Sequence, residues 1–218
     1  MLGAPAVLFY VALTTHAHHQ RRCCVVTVEP CPPQPVDLFL AVDSSGSIGL
    51  DNYKYNFELI SRILSAYTIG ENATKVSLLT YGTSVKPRFR LSPDKDYIDQ
   101  QLKNVPYQGS TTNTHLALLY ILNGGYNDPA NGARPTARKV IVLITDGKST
   151  IPDETLKAAE AVKSQGLVIA VIGVGKDVDQ DELNAVASKP EFVLLPNNYA
   201  ELENFASVVS KIVCDNKI

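Results

Sequence analysis

Three stretches of the chain, residues 36–42, 140–145 and 168–174, are apolar almost without interruption and rich in Val, Ile and Leu. Runs of this kind, bounded by breakers, read as strands buried on both faces, the situation of a parallel sheet. Between them the period changes. Tyr53, Phe57, Ile60, Leu64 and Tyr67 recur at spacings of four and three, as do Leu156, Ala159 and Val162, and Leu202, Phe205, Val209 and Ile212 close the chain. These are amphipathic helices, the last expected over residues 199–213. Residues 75–81 and 85–89, joined by Gly82-Thr83-Ser84, read as a hairpin, and residues 192–195 as a short further strand. The alternation predicts a three-layer, doubly wound α/β domain. Its six-stranded sheet is mostly parallel with one antiparallel edge strand and has helices on both faces.

A length of 218 residues accommodates one such domain with tails. The organisation expected is a signal peptide over residues 1–17, a Cys- and Pro-rich lead-in over 18–35, the domain over 36–214 and a tail over 215–218. Residues 2–13 are apolar, too short to span a bilayer, and are followed by Thr15-His16-Ala17, with small residues where a signal peptidase cuts. The alternative is a buried N-terminal segment or weak anchor. No second run of transmembrane length follows, so the expected product is secreted. A formal charge of -2 excludes nucleic acid as a partner held by bulk electrostatics.

In an oxidising compartment the four cysteines are expected to pair. Cys23, Cys24 and Cys31 precede the domain and Cys214 ends its last helical pattern. A Cys31–Cys214 bridge would tie the two ends together, and closing so long a loop stabilises by about 4–5 kcal/mol in the chain-entropy model. Adjacent cysteines bridge each other only with strain, so Cys23 and Cys24 also point to a disulfide-linked homo-oligomer. Asn72-Ala73-Thr74 is the one glycosylation sequon and sits in a turn.

Ligands of open parallel sheets bind beyond the carboxyl ends of the strands. The first strand runs into Asp43-Ser44-Ser45-Gly46-Ser47, residues 111–114 are Thr-Thr-Asn-Thr, and the run 140–145 ends in Asp146-Gly147. Singly, such residues cap helices or make turns. Jointly, they bring two carboxylates and several hydroxyls to one rim, a set of hard oxygen donors suited to Mg²⁺ or Mn²⁺ rather than zinc.

These three motifs, in this order and spacing, resemble a von Willebrand factor type A domain with an intact metal-ion-dependent adhesion site, over about residues 36–214. The resemblance implies that Ser45 and Ser47 ligate the metal through their hydroxyls. Asp43 would act directly or through water, Thr112 would be the hydroxyl of the second loop, and Asp146 would complete the set through water. Thr111 adjoins Thr112, which leaves that position open by one residue, and His115 stands where many members have Gly. A cation held largely by neutral hydroxyls keeps a position for an acidic side chain of a partner, collagen or another extracellular matrix protein. The surrounding loops, residues 107–110, 123–134 and 148–150, would form the contact rim, with Tyr107, His115 and Tyr126 as candidates. The last helix is where the resemblance locates movement linked to the metal face.

Catalysis is not expected. There is no Gly-x-Ser-x-Gly elbow, no second Asp at Ser45 for phosphoryl transfer, and one His within the domain. The nearer alternative is a structural matrix module assembled through disulfides, with the metal secondary.

Overall fold

The three apolar runs 36–42, 140–145 and 168–174 become strands of one six-stranded sheet in the order β3-β2-β1-β4-β5-β6. The computed structural model describes residues 35–214. The expected signal segment, Cys23, Cys24 and Cys31 lie outside the described residues. β1 (Val36–Asp43) pairs in parallel with β2 (Thr74–Tyr81) on one side and β4 (Arg138–Thr145) on the other. β5 (Val168–Gly173) and β6 (Val193–Leu194) continue in parallel. β3 (Val85–Ser92) pairs antiparallel with β2 at the edge, where Pro87 is tolerated. It runs three residues beyond the expected end because Phe89 and Leu91 point inward while Lys86 and Arg90 stay exposed.

Helices cover both faces. α1 (Leu50–Ser65) packs against α2 (Lys95–Leu102) and α6 (Ala206–Cys214); α3 (Thr114–Tyr120), α4 (Pro152–Ser164) and α5 (Gln180–Val186) pack in series. α1 buries Tyr53, Phe57, Ile60 and Leu64, the expected stripe. Gly49, at φ 71°, makes the left-handed turn that admits the helix. α4 begins on Pro152, carries Asp153 and Glu154 in its first turn and Lys163 in its last, each matching the helix dipole.

Two segments differ from expectation. Residues 199–213 are not one helix: Tyr199–Phe205 is 3₁₀ and only then does α6 start. Tyr199, Leu202 and Phe205 recur every third residue, the 3₁₀ repeat, which places all three on one edge. Residues 123–134 are not a plain loop either. A π-helical turn, Ile121–Tyr126, continues α3, and a 3₁₀ turn, Pro129–Asn131, follows. From Thr114 to Tyr126 the chain descends about 20 Å at helical rise, carrying these residues to the opposite end of the sheet. There the Arg134 guanidinium grips the buried Asp37 carboxylate at 2.8 Å.

Candidate metal centre

β1 is the strand at which the order of the sheet reverses, and its carboxyl end lies beside that of β4. Asp43 closes β1 with its carboxylate fully buried. Its Oδ1 accepts from the Ser45 amide at 2.8 Å and its Oδ2 from the Thr145 hydroxyl, which ends β4, at 2.7 Å. The first bond bends the chain into a tight turn and fixes Ser45 above the strand. Four further contacts set the loop. Ser44 N–H donates to Tyr81 O at 2.7 Å and Gly46 N–H to Ser110 O at 2.8 Å. Gln108 N–H donates to Ser44 Oγ at 2.8 Å, and the Tyr107 hydroxyl to Ser45 O at 2.8 Å.

The result is a row of oxygens. Ser45 Oγ lies 3.0 Å from Ser47 Oγ, which donates to Asp146 Oδ1 at 2.8 Å. Adjacent corners of an octahedron with Mg²⁺–oxygen distances of 2.0–2.1 Å are about 2.9 Å apart, so this donor set fits a small hard cation. Among the described residues no three His, Cys, Asp or Glu side chains gather at metal-binding distance. The set contains only two carboxylates, its remaining donors being hydroxyls. Burial pushes the Asp43 carboxyl up to about 6, against the opposing hydrogen bonds from Thr145 and Ser45 and with a smaller contribution from the charge of Asp146. Burial also raises Asp146, the Ser47 hydrogen bond partly offsetting it. Among the described residues no cationic side chain hydrogen-bonds or ion-pairs with either carboxylate.

Thr112 comes from the second loop, half-buried. Its amide donates to Thr150 Oγ1 at 3.0 Å and its carbonyl accepts from Thr150 N–H at 2.8 Å. The neighbouring Thr111 hydroxyl is engaged by Thr83 Oγ1 at 3.0 Å. Gly82 lets these loops meet: a Cβ there would stand 2.1 Å from Ser110 Oγ, which accepts from Thr83 N–H at 3.0 Å.

The rim candidates separate. Tyr107 adjoins the loop, but its hydroxyl is spent on Ser45 O and its ring packs 5.1 Å from Tyr53. His115 is half-buried on α3, with Nδ1 unpartnered among the described residues. Tyr126 is not at the rim: its ring lies 5.6 Å from the Lys139 ammonium, near the start of β4. The loop 123–134 goes with it, because the descent of α3 and its π turn carries it away. Asn72 is exposed, also at the far end, in the turn that opens β2. Cys214 is disulfide-bonded, with its partner outside the described residues. Sequence reading did not find the Thr145 bond to Asp43, since a hydroxyl ending an apolar strand carries no signal of its partner. Nor did it find the buried Tyr81 and Tyr199 hydroxyls, which have no hydrogen-bond partner among the described residues; burial raises both phenols, helped by the charge of Asp43 at Tyr81 and by those of Asp146 and then Asp43 at Tyr199.

A model of the von Willebrand factor type A domain matches residues 37–210. Collagen alpha-1(XX) chain of Mus musculus is 33% identical over 187 residues, 84% of this chain and 14% of the relative. Matrilin-2 of Mus musculus is 33% identical over 191 residues, 84% of this chain and 20% of the relative. The chain thus spans at most a fifth of the length of these curated relatives. Proximal thread matrix protein 1 from the mussel byssus, solved with a zinc-occupied MIDAS motif, superposes at a TM-score of 0.80 and 26% identity, over 85% of this chain and 49% of that one. In that protein the motif admits zinc, which an oxygen-rich donor set alone does not suggest.

Proposed function

The chain belongs to the von Willebrand factor type A domain family, and we propose that it is a secreted adhesion or matrix protein that binds a protein ligand through a divalent cation. The observation that carries this is the row Ser45, Ser47, Asp146 beside buried Asp43, with hydroxyls and an amide as its hydrogen-bond partners and, among the described residues, no cationic side chain. Ser45, Ser47 and Thr112 would hold the cation through hydroxyls, and Asp43 and Asp146 directly or through water. Mg²⁺ or Mn²⁺, once bound, supplies an electrophilic centre for an acidic side chain of the partner. Protein surface around the cation excludes water, where that attraction is strongest. The ligand class is collagen or another extracellular matrix component. The relatives' names, collagen, matrilin and thread matrix protein, support this setting. The role is binding and not catalysis, since the two carboxylates are the groups the cation needs.

Within the same reading Cys31 is the partner of Cys214, and Asn72 carries a glycan at the end of the sheet away from the cation. Among the described residues no helix is long and apolar enough to cross a membrane. A second reading, disulfide-linked assembly with the cation secondary, is favoured by the cysteine count. With Cys214 bridged, two of Cys23, Cys24 and Cys31 remain to join copies.

Non-reduced protein applied to immobilised fibrillar collagen and a panel of purified matrix components tests both. Binding in Mg²⁺ that is lost in chelator and in Asp43→Ala is expected. Binding indifferent to both, or assembly lost only in reductant, contradicts the adhesion mechanism and favours the second reading.

A further inference from the structure

The sequence Asp179-Gln180-Asp181-Glu182 has the spacing of a capping box. Asp179 duly caps α5, its Oδ1 accepting from Glu182 N–H at 3.1 Å. In a complete box the Glu182 carboxylate would return to the Asp179 amide. Here it turns away: Oε1 accepts from Ser149 N–H at 3.3 Å, in the β4–α4 connection, and Oε2 has no partner among the described residues. Glu182 is only 8% exposed and Ser149 5%, and the Ser149 hydroxyl is also unpartnered among the described residues. A buried carboxylate with a single long hydrogen bond costs stability, so the fold alone does not account for it.

The contact fixes a position. Residues 148–150 are clamped from the α5 side by Glu182 and by the Lys148–Asp179 ion pair at 2.8 Å, the latter exposed and weak. On the other side Thr150 exchanges two hydrogen bonds with Thr112. A continuous path therefore runs from the Glu182 carboxylate through Ser149 and Thr150 to the backbone of Thr112. We propose that Glu182 is a positioning residue of the cation site: it anchors the β4–α4 connection and, through Thr150, sets the Thr112 hydroxyl toward the cation. The role rests on the metal reading above and deepens it.

The test compares Glu182→Ala, which removes the acceptor, with Glu182→Gln, which keeps it. Mn²⁺ affinity is measured by electron paramagnetic resonance and amide exchange in the cation-free protein. Glu182→Ala is expected to speed exchange at Ser149, Thr150 and Thr112 and to weaken Mn²⁺ binding about tenfold, the usual effect of losing a partner behind a metal ligand. Glu182→Gln should stay near wild type in both. Unchanged Mn²⁺ affinity in Glu182→Ala overturns the inference. So does an equal loss in Glu182→Gln, which would make the charge and not the hydrogen bond responsible. A wild-type protein that binds no Mn²⁺ removes the metal reading itself and this role with it, an outcome distinct from the other two.

Discussion

β1 carries two aspartates on the same face, Asp37 near its start and Asp43 at its end, both 0% exposed. Their surroundings are opposite. Asp37 accepts from the Arg134 amide at 2.7 Å and from its guanidinium at 2.8 Å, and the same side chain also bonds Glu71 O and Val36 O. Asp43 receives one amide and one hydroxyl and, among the described residues, meets no cationic side chain. Two equally buried carboxylates on one strand thus divide the work. The first is neutralised by Arg134 and closes the base of the sheet; the second has no cationic partner among the described residues and lies at the rim proposed to hold the cation. An uncompensated buried charge beside a row of hydroxyls is a burden to the fold and an asset to a cation site.

The largest expected effect breaks the neutralised end. Arg134→Ala leaves Asp37 buried without its cation, and urea denaturation should show a loss of about 3–5 kcal/mol. A loss no greater than that of a surface substitution would mean the two aspartates are not distinguished as described. The opposite sign is expected at the rim. In chelator at pH 7.5, Asp43→Asn should be more stable than wild type by about 2–3 kcal/mol, because the carboxyl pushed up to about 6 is ionised there at a cost. The same urea series measures it, and a destabilised Asp43→Asn would show that the ionised carboxylate is paid for within the protein.

Much of this was legible in the sequence because it was local. β1, β4 and β5 are buried on both faces, so their apolar runs stand out without knowledge of the partners. The motif around Asp43, Ser45 and Ser47 is local too, since one turn fixes all three. What was not legible depends on distance in space or on helix geometry. Asp37 and Arg134 are 97 positions apart. Tyr126 was expected at the rim as part of the loop 123–134, and the π turn that continues α3 and carries it away has no reliable sequence signal. The 3₁₀ segment Tyr199–Phe205 hid within an apolar pattern that fits a helix nearly as well. Glu182 was not singled out, because its spacing from Asp179 is that of an ordinary cap, and only the tertiary structure shows its carboxylate bonded to Ser149.

The central claim is that the rim is built for a cation that the protein's own charges do not replace, and calorimetric titration with Mn²⁺ at two pH values tests it most directly. The sign follows from Asp43. A carboxyl raised in the folded state contributes stability that is fully present below its unfolded value near 3.8 and lost as pH rises through about 6. The cation competes for the ionised form. The account predicts saturable one-site binding at pH 7.5, weakened about tenfold at pH 5.0, where Asp43 must first release its proton. No saturable binding at pH 7.5, or the same affinity at both pH values, would contradict it.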